Sequence, residues 1–248
     1  MDILYIIGEN CSKCNYNELR YSLRSIEKYG KNIDRIFVAG YCPEFLSDEV
    51  IKIPCDDIYE DKENHGMRNA NVLNKLLIAV DNSDIGEHFL VSFDDNIYIR
   101  DTDFDNYPHY IRKKRPLPEH KETNSAYMEL LANTKDFLLQ HNLSVCNFGV
   151  HRNLHCTRRS INANREILED IVKNHIECDR FIFLNNWELT NHPFEIKVVS
   201  DVKLKNGGDW WRADSRYTEC FSTCDFSPGI GLDCLISSLF NDKSKYEK

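Results

Sequence analysis

The chain has 248 residues, 42% of them hydrophobic, which is enough to bury a large single-domain core and too apolar for a disordered segment. Its formal charge of −9 argues against a protein that simply coats nucleic acid. No stretch approaches the roughly 18 apolar residues of a bilayer span. Met1-Asp2-Ile3-Leu4-Tyr5-Ile6-Ile7 lacks a basic lead and its apolar run is short, so it reads as a buried strand rather than a signal peptide, and a cytoplasmic setting is expected.

Ile3 to Ile7 is a continuous apolar run, the mark of a strand covered on both faces, and Gly8-Glu9-Asn10 ends it. Asn17 to Ile26 reads as a helix, with Leu19, Leu23 and Ile26 at helical spacing and Gly30 as a stop. Arg35 to Gly40 and Val50 to Pro54 are further strands. Asn69 to Val80 is an amphipathic helix, and His88 to Phe93 is a strand running straight into Asp94-Asp95. Strands alternating with helices predict an α/β fold with a mainly parallel central sheet flanked by helices.

The second half is less regular. Helices are expected over Ser125 to His141 and from about Ser160 to Asn174, with a strand at Val145 to Val150 that delivers His151. Phe194 to Val199 is another strand, ending at Ser200-Asp201. Asn206-Gly207-Gly208-Asp209-Trp210-Trp211 is a turn, and a short helix lies around Leu232 to Leu239. No clean linker appears, so residues 1–248 read as one domain, with 1–100 as a nucleotide-binding-type half and 101–248 as a less regular half, which the resemblance given below implies are the donor-binding and acceptor sides.

Ligands of open α/β sheets sit beyond the carboxyl ends of the strands. Three such ends carry polar groups: Gly8-Glu9-Asn10, Gly40-Tyr41 and Asp94-Asp95. Two adjacent like charges between buried segments are costly unless a cation sits there. Hard divalent ions, Mg2+ or Mn2+, take one or two carboxylates plus substrate phosphates. The plainer reading of the pair is a strand-end turn. Arg20, Arg24, Arg68, Asn71 and Lys75 lie on the two early helices, the last three along one face. They suit a nucleotide or diphosphate, or equally surface ion pairing.

Side chains able to take a proton in the second half are His151, Asp201, Asp209 and Asp214, and the resemblance given below implies such a base for an acceptor hydroxyl, with Asp209 favoured beside the Gly207-Gly208 hinge. Trp210 and Trp211 can stack on a sugar or base. Arg112-Lys113-Lys114-Arg115, with Arg152, Arg158, Arg159 and Arg165, is either a solvated surface or a patch for a phosphate-bearing acceptor. The ten cysteines read as reduced thiols, with Cys11-Ser-Lys-Cys14 a weak zinc signal.

Asp2 to Gly8, Asn17 to Ser25, Asn69-Ala70-Asn71, His88 to Asp95, Val150-His151 and Ser237 to Glu247 together resemble bacterial and phage-encoded GT-A-type glycosyltransferases related to the Stealth capsule-sugar transferases. The resemblance spans nearly the whole chain. It implies a GT-A-like fold, a nucleotide-sugar or sugar-phosphate donor (a UDP-sugar favoured), and a metal at Asp94 and Asp95. The acceptor would be a saccharide, a lipid-linked glycan or, in a phage setting, hydroxymethylated cytosine in DNA that receives arabinose or glucose. That family's strand end usually reads Asn-Asp-Asp followed by aromatics. Here Phe93 and Asn96 depart from it, leaving open which of Asp94, Asp95 and Asn96 meets metal. A non-catalytic nucleotide-binding module is the reading from another class. A nucleotidyltransferase lacks support, because Gly8-Glu9-Asn10 is not a glycine-rich phosphate loop.

Overall fold

A computed structural model describes residues 1–9, 12, 15–60, 65–107, 111–122, 125–142, 146–150, 154–174, 201–203, 220–222 and 236–248. The first strand, β1 (Asp2–Ile7), is followed by helix α1 (Asn17–Tyr29), the two-residue β2 (Gly30–Lys31), β3 (Ile36–Gly40), β4 (Val50–Pro54), α2 (His65–Asn82) and β5 (His88–Ser92). Then come β6 (Asn96–Tyr98), β7 (Thr102–Asp103), β8 (Ile111–Pro116), α3 (Ala126–Gln140), β9 (Cys146–Val150), β10 (Leu154–Thr157), α4 (Arg158–Ala163), α5 (Arg165–Lys173), β11 (Asp201–Lys203) and β12 (Cys220–Ser222).

The central sheet has the order β10-β5-β1-β3-β4. Strands β5, β1, β3 and β4 are parallel, and β10 is an antiparallel edge. The mixed α/β architecture with a mostly parallel sheet expected from the sequence is therefore present, and it is consistent with a Rossmann-like GT-A fold. Alternate residues of each strand feed two apolar layers. Ile3, Tyr5, Ile7, Ile36 and Val38 pack against Leu19, Leu23 and Ile26 of α1. Leu4, Phe37, Ala39, Phe89 and Val91 pack against Leu73, Leu76 and Leu77 of α2, with Leu168 and Ile171 of α5 beyond. Both faces are covered, which is why the strands read as unbroken apolar runs.

Several elements depart from expectation. Helix α1 stops at Gly30 by close approach rather than by a left-handed turn: a Cβ there would lie 2.5 Å from the Ile26 carbonyl oxygen and 2.4 Å from Ile33 Cδ1. The helix expected from 160 to 174 is two helices. Asn164 interrupts it, its side-chain amide donating to the Ser160 carbonyl at 2.9 Å, a local bond that competes with helix continuation. The basic run of 112–115 lies in strand β8, paired antiparallel with β9. The four-residue β10 escaped sequence reading. The strand expected at 194–199 lies outside the described residues, and of the helix expected around 232–239 the described part, 236–239, is helical. No helix among the described residues is long and apolar enough to cross a membrane.

Candidate active site at the carboxyl ends of the central strands

The chain runs from β1 to β3 and β4 on one side, then returns through α2 to β5 on the other side of β1. The connection direction therefore switches between β1 and β5, and ligands of open α/β sheets bind beyond the carboxyl ends of the strands at such a switch point. Phe93-Asp94-Asp95-Asn96 lies there. It is a tight turn closed by the Asn96 N–H donating to the Phe93 carbonyl at 3.1 Å, and it passes the chain from β5 to β6. The strand-end turn and the acidic pair are thus one feature. Asn96 is fully buried in β6, against Ser222 of β12, while Asp94 and Asp95 stay half-buried.

Helix α1 fixes this turn through two buried serines that hydrophobic spacing does not explain. Ser22 Oγ lies 2.7 Å from the Tyr5 hydroxyl, tying α1 to β1. Ser25 Oγ accepts the Tyr98 N–H at 3.0 Å, tying α1 to β6 just past the turn. The first turn of α1 then carries a third carboxylate, Glu18, which accepts from the Ser12 hydroxyl at 2.8 Å. Burial first, then the charges of Asp95 and Glu18, push the Asp94 carboxyl up to about 7. Among the described residues, no lysine or arginine pairs with Asp94. Sequence reading missed Glu18, and its only signal was an acid in the first turn of a helix that follows β1.

The arrangement suits a hard cation. It offers two adjacent carboxylates and mutual repulsion that a positive ion would relieve. Among the described residues, no three acidic, histidine or cysteine side chains gather as a complete ligand set. An ion here would complete its shell with donor phosphate and water, as Mg2+ commonly does.

Most of the cations expected to meet the donor have partners inside the protein. Arg20 and Arg24 grip Glu247 of the C-terminal segment at 3.0 and 2.6 Å, and Arg24 also donates to the Phe240 carbonyl at 2.9 Å. They fasten the tail to α1 and do not face a phosphate. Asn71 is likewise internal: its amide oxygen accepts the N–H groups of Ile58 and Tyr59, and its nitrogen donates to the Tyr59 carbonyl. Lys75 is buried, donating to the Ile7 carbonyl at 2.9 Å and to Asp57 at 2.5 Å. Asp57 in turn receives the Glu9 N–H at 3.3 Å. Lys75 therefore ties α2 to the carboxyl end of β1 and to the segment after β4. Gly8 accepts the Tyr16 hydroxyl at 3.2 Å. Arg68 is exposed.

The basic acceptor cluster is also thinner than its sequence suggests. Arg158 donates to the Ser83 and Ile85 carbonyls, and Arg165 is paired with Asp81 and Glu169. Arg159 is exposed, with its backbone N–H on Glu87. Arg112, Lys113, Lys114 and Arg115 are placed only as backbone of β8, and Asp201 only as backbone of β11 beside Cys220. His151, Arg152, Asp209, Trp210, Trp211, Asp214, Cys11 and Cys14 lie outside the described residues.

No protein-family model matches the chain. Over 88 residues, 34% of its length, the chain is 32% identical to exopolysaccharide phosphotransferase CpsY of Mycobacterium leprae (strain TN). The matched stretch is 16% of that protein.

Proposed function

We propose that this chain is a sugar transferase that draws on a nucleotide-diphosphate-sugar donor, a UDP-sugar in first preference, and uses Mn2+ or Mg2+ held by Asp94 and Asp95. The observation that carries the reading is the acidic turn at the β1–β5 switch point, its Asp94 carboxyl raised by burial first and then by the charges of Asp95 and Glu18. The bound ion would supply charge neutralisation for the diphosphate of the donor. Within the chain, Asp94 and Asp95 would hold that ion at the turn that follows β5. Glu18 sets the charge of the pocket, and Asp209, His151 or Asp201 takes the proton of the acceptor hydroxyl.

Two bond changes fit one such site. In glycosyl transfer the bond from the anomeric carbon to the diphosphate breaks, the acceptor oxygen bonds that carbon, and a nucleoside diphosphate leaves. In sugar-phosphate transfer the acceptor oxygen bonds the sugar-bearing phosphorus, the phosphoanhydride bond breaks, and a nucleoside monophosphate leaves. The resemblance read from the sequence supports the first, and the similarity to a phosphotransferase supports the second. A saccharide or lipid-linked glycan is the preferred acceptor. Modified DNA is weaker, because Arg158 and Arg165 are engaged within the protein.

The test is to incubate the protein with a panel of UDP-sugars and Mn2+ and to identify the nucleotide released. UDP marks glycosyl transfer and UMP marks sugar-phosphate transfer. Asp94→Ala and Asp95→Ala should each cost about a hundredfold or more in rate, as loss of a group that stabilises developing charge does. Turnover in both variants equal to that of the wild type would defeat the assignment of the two aspartates, and a wild type that turns over none of the donors would favour a non-catalytic binding module.

A further inference from the structure

Among the described residues, Tyr41, Ile58 and Leu139 are the exposed large hydrophobics. Two of them, Tyr41 and Ile58, follow the carboxyl ends of neighbouring strands, β3 and β4. Tyr41 is held there by backbone chemistry. Its N–H donates to the Ile7 carbonyl at 3.1 Å. The preceding Gly40 has φ +101°, and a Cβ on it would lie 2.1 Å from that same oxygen. The kink lays the Tyr41 ring on Tyr16, with centroids 4.8 Å apart and planes inclined by 27°. Tyr16 is itself seated at a cost. Asn15 and Tyr16 both take left-handed backbone, φ 53° and 57°, which disfavours residues with a side chain. The Tyr16 hydroxyl is anchored on the Gly8 carbonyl.

We propose that Tyr41, backed by Tyr16, is the stacking platform for the nucleobase of the donor, an inference that rests on the sugar-transferase reading above. Direction comes from the sheet. Asp94 lies two residues past β5, and Tyr41 directly follows β3, two strands away across β1. At about 4.8 Å per strand the two ends stand about 10 Å apart, which matches the reach of a nucleoside diphosphate. Beyond Tyr41, Lys75 is taken up by Asp57 and the Ile7 carbonyl, so its ammonium is not offered to a phosphate there. The base therefore lies over β3 and β4, and the diphosphate over β1 towards Asp94. Stacking tolerates any base, so Tyr41 governs affinity more than the choice among bases.

Calorimetric titration with UDP, ADP, GDP and CDP in Mn2+, and with inorganic pyrophosphate in Mn2+, tests this on the wild type, Tyr41→Ala and Tyr41→Phe. Tyr41→Ala should raise the Kd for the nucleotide that binds by about fivefold to a hundredfold. Tyr41→Phe should stay near wild type, and pyrophosphate should bind all three alike. Unchanged nucleotide affinity in Tyr41→Ala overturns the platform, as does an equal loss for pyrophosphate; both outcomes leave the donor reading standing. A wild type that binds none of the four nucleotides sinks the donor reading and the platform together.

Discussion

Glu247 makes the sharpest stability prediction. Its side chain is wholly buried. One carboxylate oxygen accepts from Arg24 Nε at 2.6 Å and from the Ser244 N–H at 3.1 Å. The other accepts from Arg20 and Arg24 at 3.0 and 2.9 Å. These bonds outweigh burial and hold the carboxyl down at about 2, against an ordinary 4.5. A depression of that size corresponds to about 3 kcal/mol of stability, which agrees with the roughly 3–5 kcal/mol for breaking a buried pair. Because the folded value is depressed, the contribution is complete above about 4.5 and fades as pH falls towards 2. Glu247→Gln should therefore lose about 3 kcal/mol in urea unfolding at pH 7, or about 6–12 °C in Tm. The gap to wild type should narrow as the buffer is taken from pH 5 to pH 3. A gap under about 1 kcal/mol at pH 7, or one that does not change with acid, would refute the linkage between tail and α1 drawn from these distances.

Two further predictions follow from these strand ends. Asp94 has a carboxyl pKa raised from 3.8 to about 7, so it costs stability that is lost progressively as pH rises between those values and stays lost above about 7. Asp94→Asn should raise the Tm of the metal-free protein at pH 8 and abolish any rise on adding Mn2+ with UDP, both read by thermal shift. Gly40→Ala places a methyl 2.1 Å from the Ile7 oxygen and 3.0 Å from two carbons of the buried Lys75, at a φ of +101°. It should cost about 2 kcal/mol or more in denaturant unfolding. A neutral Gly40→Ala would mean that the kink at the end of β3 is not strained.

The sheet was legible because burial on both faces leaves long apolar runs at Ile3–Ile7, Ile36–Gly40 and His88–Ser92, and because Leu19, Leu23 and Ile26 repeat at helical spacing. The acidic turn was legible because charge is expensive at the end of such a strand. Roles set by tertiary contact were not. Arg20 and Arg24 look like phosphate ligands until Glu247, more than two hundred residues away, is seen between them. Asn71 and Lys75 share a helical face, yet both serve the protein's own backbone and Asp57. Ser22 and Ser25 were invisible as supports, since local spacing says nothing of a Tyr5 hydroxyl or a Tyr98 N–H waiting opposite. Strand β8 was hidden because a run of four basic residues carries no alternation of polarity.

Direct Mn2+ titration by electron paramagnetic resonance, with and without UDP at pH 6 and pH 8, reaches the proposed chemistry at its root. The wild type should bind Mn2+ with UDP more tightly at pH 8, where Asp94 is ionised, than at pH 6, where it is largely protonated. The double variant Asp94→Asn, Asp95→Asn should lose that binding at both values. Retention of wild-type Mn2+ affinity in the double variant would contradict the assignment of the acidic turn as the cation-binding end of the donor site.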